Sequence, residues 1–342
     1  LREQRIPFVH LLTPAERKKA MNSKNVLVLG EGVTGLSTAL RLLQAGHKVT
    51  VLGEPAVLSP KSYAICVPYM SEADPRVVDF SLASYAFFKG LAHNPAAGVS
   101  LRKIIKLFTE RREPWWASKV EGYRHPLPGE IPTAYPDASV LVDWPVIDPI
   151  TFLPWLREQV AKLGGVFITG KLAQWSDCPE EFGVIANCTG VGAKQLVNDP
   201  QLGDEEIQIV RVKASGLSQP DSVFIEDEGP YRPLCVVPHQ DYLAIGATIN
   251  GPKGLSPTLD LANARDILER CAKVLPGFAP QLADVESTHR VRRPTRAVPR
   301  VEIESVELTD RAIHIAHNYG AWGLAYCLID SAQWLANAVT EL

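Results

Sequence analysis

Residues 25–45, NVLVLGEGVTGLSTALRLLQA, constrain the fold of this chain more than any other stretch. NVLVLG (25–30) has the apolar continuity of a short buried strand, and GLSTALRLLQA (35–45) carries apolar residues at helical spacing. Between them lies Gly30-Glu31-Gly32-Val33-Thr34-Gly35, a GxGxxG turn. Gly30 permits the tight turn, Gly32 lets the backbone approach a pyrophosphate, and Gly35 lets the helix pack closely on the strand. The helix N-terminus then offers N–H groups and a positive dipole end to phosphate. A second strand, HKVTVLG (47–53), follows Gly46, so the segment reads strand–turn–helix–strand, the opening of a doubly wound sheet. A dinucleotide is the implied ligand, and FAD and NAD share this fingerprint. The usual ribose-binding carboxylate position is occupied by Gly53, with Glu54 one residue later. Glu54 either reaches the hydroxyls through a bent backbone or is a solvent-facing loop residue.

A second feature is the basic stretch HRVRRPTRAVPR (289–300), with five arginines in twelve positions of a chain whose net charge is −3. A solvated face, nucleic acid and a small anion are the three readings. A pI near 6.3 supplies no global positive field to hold a phosphate backbone, which disfavours nucleic acid. Hydrophobic residues at 46% and charged residues at 21% describe a globular protein long enough for two domains. The six cysteines are scattered without a CxxC pair, which argues for free thiols and against a metal site or disulfide framework. No apolar run reaches membrane-span length. Residues 1–20 place the apolar patch before Arg17, Lys18 and Lys19, the reverse of a signal peptide, so Met21 is read as the natural start after an extension.

Further helices are expected over 77–93, 155–165, 261–275 and 324–341, and strands over 208–213, 222–226, 234–237, 242–249 and 312–318. Residues 113–150, rich in Pro, Trp and Tyr, show weak periodicity. A nucleotide-binding unit thus comes first, an antiparallel insert follows, and the chain later returns to strand and helix. The expected fold is α/β, a Rossmann-like nucleotide-binding domain (21–75, 150–205, 295–342) interleaved with an antiparallel-sheet substrate domain (76–149, 206–294). ANCTG (186–190) and HNYGAWG (317–323) are glycine turns after strands, each suited to a ligand edge or to a plain strand-to-loop turn.

VLVLGEGVTGLSTALRLL, VPY (67–69), FLPWL (152–156), ANCTGVGAKQL, EGPY (228–231), RRPTR (292–296) and HNYG (317–320) occur in the order found in D-amino-acid oxidases. From about residue 25 onward, the chain resembles the FAD-dependent D-amino-acid oxidase group, which includes D-aspartate oxidases. The resemblance implies FAD as cofactor, held by Gly30, Gly32, Val33, Thr34, Gly35, Glu54, Ser59, Ala64, Ile65, Thr189, Gly190, Gly320, Trp322, Gly323 and Leu324. It implies an amino-acid substrate whose carboxylate meets Arg296 and Tyr231, with Cys235 beside it, and oxygen as the second substrate. A planar guanidinium grips a carboxylate through two parallel bonds, which gives one arginine of the basic stretch a role. Arg290, Arg292, Arg293 and Arg300 are then surface charge or partners of acids such as Glu302 and Glu304. The resemblance also admits a homodimer, and the C-terminal Thr340-Glu341-Leu342 lacks the SKL-type address, leaving a cytoplasmic location as the default.

The implied reaction passes hydride from the substrate α-carbon to flavin N5 and yields a 2-oxo acid, ammonia and hydrogen peroxide. Four positions depart from the family pattern. A tyrosine gives way to Cys235, and Arg232 and His239 nearby are alternative sources of positive charge. An RGQ turn reads Glu206-Ile207-Gln208, a GHGG loop reads Gly320-Ala321-Trp322-Gly323, and a threonine aligns to Cys327. An amino-acid dehydrogenase, an oxidase of glycine or N-methyl amino acids, and a FAD-binding relative with little turnover are the other readings of the same motifs.

Overall fold

The computed structural model describes residues 22–55, 61–67, 74–214, 220–231, 233–250, 261–275, 277–321, 326 and 329–342, with the side chains of 55 and 247–250 excepted. It begins as the periodicity predicts. β1 (Asn25–Glu31) turns into α1 (Val33–Ala45) and returns as β2 (Lys48–Pro55), which runs parallel to β1. β1 is buried on both faces, which is why its apolar run is continuous rather than alternating. Val26 and Val28 join a core formed with α1, while Leu27 and Leu29 face a second cluster with Ile185, Ile313 and Ile315. Helix α1 ends on Gly46, whose φ of 95° lets its amide close on the carbonyls of Leu42 and Leu43.

The remaining elements follow as α2 (Pro75–Leu91), β3 (Val99–Phe108), β4 (Tyr123–Arg124), β5 (Asp137–Ile147), α3 (Pro149–Lys162), β6 (Val166–Thr169), β7 (Val184–Asn187) and the short α4 (Ala193–Leu196). Then come β8 (Gly203–Lys213), β9 (Val223–Glu226), β10 (Leu234–Pro238), β11 (Tyr242–Asn250), α5 (Leu261–Val274), β12 (Val285–Glu307), β13 (Ala312–Ala321) and α6 (Ser331–Glu341). The α2 and α3 starts both carry a capping aspartate followed by proline, Asp74-Pro75 and Asp148-Pro149, with each carboxylate accepting an amide two residues on.

All thirteen strands form one sheet, ordered β4-β5-β3-β9-β10-β11-β8-β12-β13-β7-β1-β2-β6. The β13-β7-β1-β2-β6 end is parallel and the β11-β8-β12 region antiparallel. β12 is the seam. Its first half pairs with β8 through Thr295, and from Arg300 onward it pairs with β13, with a register shift between those two positions. The sequence-based division at 294/295 therefore falls inside one strand. Helix α2, assigned by sequence to the substrate segment, contributes Val77, Phe80 and Phe88 to the core around α1 and Tyr85 to the cluster on the antiparallel side.

Two of the longest strands escape a reading by period. β5 lies inside the weakly periodic 113–150 stretch, because most of its residues are buried whichever way they point. β12 contains the whole basic stretch, to which the sequence reading assigned no element. The cysteines agree with the expectation of free thiols: Cys66, Cys178, Cys188, Cys235 and Cys271 are unbridged and buried.

Candidate active site

The first half of the site is the turn after β1. Gly30 has φ of 101°, and a Cβ there would lie 2.7 Å from the carbonyl oxygen of Cys188. A Cβ on Gly35 would overlap the Gly30 carbonyl oxygen, so the helix sits directly on the turn. Gly32 is the N-cap and supplies no side-chain bond, and the first turn of α1, with Val33 and Thr34, contains no acid. The backbone is therefore open to an anion from outside the chain.

Thr189 and Gly190 form the next loop, directly after β7 and beside Gly30. Gly190 has φ of 59°, the left-handed region that its role as a turn requires. Asn187, fully buried, accepts the Thr189 hydroxyl at 2.7 Å and lies 3.3 Å from His317 Nδ1. His317 Nε2 is 2.9 Å from Glu304, so the proton is best placed on Nε2, donating to that carboxylate. Burial holds the His317 imidazole below its usual value, although Glu304 pulls the other way. The turn after β7 and HNYG are thus tied by side chains, although HNYG lies within β13 (Ala312–Ala321) and not in the turn after it that the sequence suggested.

The expected ribose acid takes a different position. Glu54 is 57% exposed and pairs with Lys171 at 3.6 Å. Glu31, inside the glycine motif, is 8% exposed and ion-paired with Arg157, whose guanidinium lies 3.9 Å from the Phe167 ring centroid. Gly53 makes room for it: a Cβ at 53 would lie 3.0 Å from Glu31 N and 3.3 Å from Glu31 Cβ. The missing carboxylate at 53 and the extra one at 31 occupy the same neighbourhood, a compensation that spacing within the motif could have suggested.

The second half is one face of the antiparallel sheet. Period-2 alternation puts Ile207, Ile209, Cys235, Val237, Ala244 and Val291 in one cluster, onto which Tyr63 and Ile65 pack from the segment after β2. Ala64 between them has φ of 51° and is buried, and its carbonyl accepts the Ile147 amide at 3.0 Å. By the same alternation Glu205 and Arg293, directly opposed in register, belong to this face. Arg293 donates to Glu205 through Nε at 2.9 Å and Nη2 at 2.5 Å.

Arg296 lies elsewhere. Beyond the register shift its Nε donates to Asp199 at 3.0 Å and its Nη1 to the Val298 carbonyl at 2.6 Å. Asp199 also accepts the Tyr319 hydroxyl at 3.0 Å. Burial alone would raise the Asp199 carboxyl, yet the bonds from Tyr319, the Gln201 amide and Arg296 hold it below its usual value. Gly320, with φ of 86°, passes so close to this arginine that a Cβ would lie 2.9 Å from Arg296 Cβ. Tyr231 packs against the cluster on the opposite sheet face, with Lys273 5.7 Å from its ring centroid. The structure therefore does not bring Tyr231, Cys235 and Arg296 together. Ser59, Arg232, Trp322, Gly323, Leu324 and Cys327 lie outside the described residues.

The remaining arginines resolve as paired charge. Arg292 pairs with Asp204, and Arg300 with Glu302 at 2.6 Å and Glu304 at 2.9 Å, as the bland reading of the basic stretch expected. His239 is 5% exposed and stacks on Tyr242 with ring centroids 4.5 Å apart, and burial holds it down at about 4, so it carries no charge at neutral pH. Among the described residues no cluster of His, Cys, Asp and Glu could hold a metal ion, and no helix is long and apolar enough to cross a membrane.

A glycine-cradled anion site at the end of a parallel sheet, continuous with an antiparallel sheet face carrying a charged pair, defines a nucleotide-dependent enzyme. The chain belongs to the DAO family of FAD dependent oxidoreductases, whose model matches residues 25–338. It is 29% identical over 321 residues to a D-amino-acid oxidase of Rubrobacter xylanophilus, covering 91% of this chain and 95% of that protein. It is 24% identical over 346 residues to the D-aspartate oxidase of Homo sapiens, covering 94% and 97%. In fold it is similar to the glycine oxidase of Geobacillus kaustophilus, with TM-score 0.74 at 16% identity over 93% of this chain and 95% of the other. The cofactor is FAD, and the uncapped α1 terminus and glycine cradle, with the Asn187–Thr189 loop beside them, fit its pyrophosphate.

Proposed function

We propose that this enzyme oxidatively deaminates a D-amino acid to a 2-oxo acid and ammonia, with oxygen as electron acceptor and hydrogen peroxide as co-product. The names of the sequence relatives support the substrate class. The observation that carries it is Arg293, a half-buried guanidinium on the sheet face that also bears Cys235 and Tyr63. The glycine cradle and the Asn187–Thr189 loop would hold FAD, and bound FAD would accept hydride from the substrate α-carbon.

Recognition of the substrate carboxylate falls to Arg293 rather than Arg296. Both arginines are paired with an acid; the distinction is that Arg293 shares the sheet face of Cys235 and Tyr63, whereas Arg296, bonded to Asp199 and the Val298 carbonyl, fixes the residue 199 loop against β13. Arg293 is held by Glu205, which fixes the plane of its fork and leaves a negative group beside it for the substrate amine. Glu205 lies next to the Glu206-Ile207-Gln208 departure, so the acid belongs to this chain's own version of the site. The apolar residues around the pair, Ile207, Ile209 and Val291, exclude water and hold the α-carbon in one orientation. The amine reacts in its neutral form, so the chain needs no dedicated base.

The test is anaerobic bleaching of the holoenzyme by single D-amino acids, L-amino acids, glycine and N-methyl amino acids, followed by peroxide yield in air. D-amino acids are expected to bleach the flavin with one peroxide formed per turnover; bleaching by L-amino acids alone would overturn the stereochemical assignment, and bleaching without peroxide would mark a dehydrogenase. Arg293→Lys is expected to raise KM for the amino acid about 10- to 100-fold, the scale of a lost charge-assisted bond. If Arg296→Lys does this and Arg293→Lys does not, the carboxylate belongs to Arg296.

A further inference from the structure

The phenolic oxygen of Tyr63 is buried and has no hydrogen-bond partner among the described residues. A buried hydroxyl without a partner costs about 1–3 kcal/mol, so its persistence calls for a ligand group that satisfies it. The surroundings are shaped for that oxygen. Cys235 and Gly246 oppose each other across β10 and β11, and a Cβ on Gly246 would lie 2.7 Å from Tyr63 Oη. Such a Cβ would also lie 2.6 Å from the Gln208 carbonyl oxygen, so glycine at 246 serves the neighbouring strand as well as the phenol, and Cys235 opposite it is a small side chain. Burial keeps the proton on the phenol and Cys235 adds to that shift, while Arg293 and Arg270 act in the opposite direction. Lys61 lies two residues before Tyr63, yet its charge is felt at His289 rather than at the phenol.

We propose that Tyr63 is a substrate-binding residue, its hydroxyl donating to the α-carboxylate that Arg293 pairs with, in the niche left open by Cys235 and Gly246. This rests on the amino-acid reading of the site. A carboxylate entering between the guanidinium and the phenol would accept from both, whereas a substrate amine would leave the phenol proton facing another donor. The small residues at 235 and 246 are then the complement of a phenol delivered from the segment after β2.

The test compares holoenzyme with Tyr63→Phe by calorimetric titration with pyruvate, a 2-oxo acid carrying the carboxylate without the amine. Loss of one bond to a charged group predicts an affinity weaker by about 10- to 100-fold. KM for the amino acid should rise in parallel, with kcat changed less. FAD content should be unchanged and Tm equal or higher, because the variant removes a hydroxyl that has no partner among the described residues. A fall in Tm with unaltered pyruvate affinity would make Tyr63 a structural residue and overturn the proposal. If Tyr63→Phe binds pyruvate normally while Arg293→Lys does not, the carboxylate site stands and Tyr63 is excluded from it. If the wild-type protein binds neither pyruvate nor any amino acid, the proposed function and this inference fail together.

Discussion

Glu31 illustrates how one residue alters the expectation attached to a motif. It follows Gly30 in the turn, is buried, and is held by Arg157 from α3. Glu54, the acid nearest the usual position, is exposed on the strand end with Lys171. A ribose hydroxyl donating to a buried, fixed carboxylate gains more than one donating to a mobile solvated acid. Glu31→Gln is therefore expected to weaken FAD binding to the apoprotein about tenfold, the lower end of a charged hydrogen bond. Glu54→Gln should leave it within about twofold. Flavin fluorescence titration reads both, and the opposite ranking would return the ribose contact to Glu54.

At the scale of elements, glycines with the same residue name have opposite meanings. Gly35 begins a helix pressed onto a turn, and any Cβ there overlaps the Gly30 carbonyl. Gly90 lies near the end of α2 with open space around it. Gly35→Ala is expected to destabilise by about 1–3 kcal/mol, the range for overpacking, and to reduce bound flavin. Gly90→Ala is expected to stabilise by about 0.5–1 kcal/mol, because alanine loses less backbone entropy in a helix. Urea unfolding of both variants checks the pair, and a destabilising Gly90→Ala would show a neighbour that the fold does not reveal. The parallel unit was legible because a short continuous apolar run, a glycine turn and a helix of regular period follow one another directly. β5 and β12 were not, since buried strands lose alternation and an arginine-rich strand resembles a solvated segment. Arg293 and Arg296 are three positions apart, so once the stretch is known to be a strand, alternation puts them on different faces, and the register shift then gives Arg296 its own surroundings.

For the whole molecule, buried histidines set the response to acid. His239 and His289 are both held at about 4, His239 by burial against the pull of Asp148, and His289 by burial with Arg211 and Lys61 adding to the shift. An unfolded imidazole titrates near about 6.5, so the unfolded chain binds protons that the folded chain refuses as pH falls below that value. Stability is therefore full above about 6.5 and declines toward pH 4, by up to about 1.4 kcal/mol per pH unit for each proton. Carboxyls held below their usual values, including Glu304 and Asp199, extend the loss to lower pH. Thermal unfolding of the holoenzyme from pH 8 to pH 4 is expected to show this decline, and His239→Gln to make it shallower. A wild-type Tm that stays flat down to pH 4 would mean that both imidazoles take up protons in the folded state at their ordinary pH.

The sequence by itself determined the nucleotide-binding unit, the FAD-dependent family and the α/β class. Those rest on local patterns: a glycine turn between a strand and a helix, and motifs whose order does not depend on knowing their contacts. Tertiary structure alone decided which acid lies beside the cradle, which arginine shares a face with Cys235, and where the lone phenol of Tyr63 points. Each of these depends on strand register and on chain segments distant in sequence meeting across one continuous sheet, and no spacing along the chain encodes that meeting.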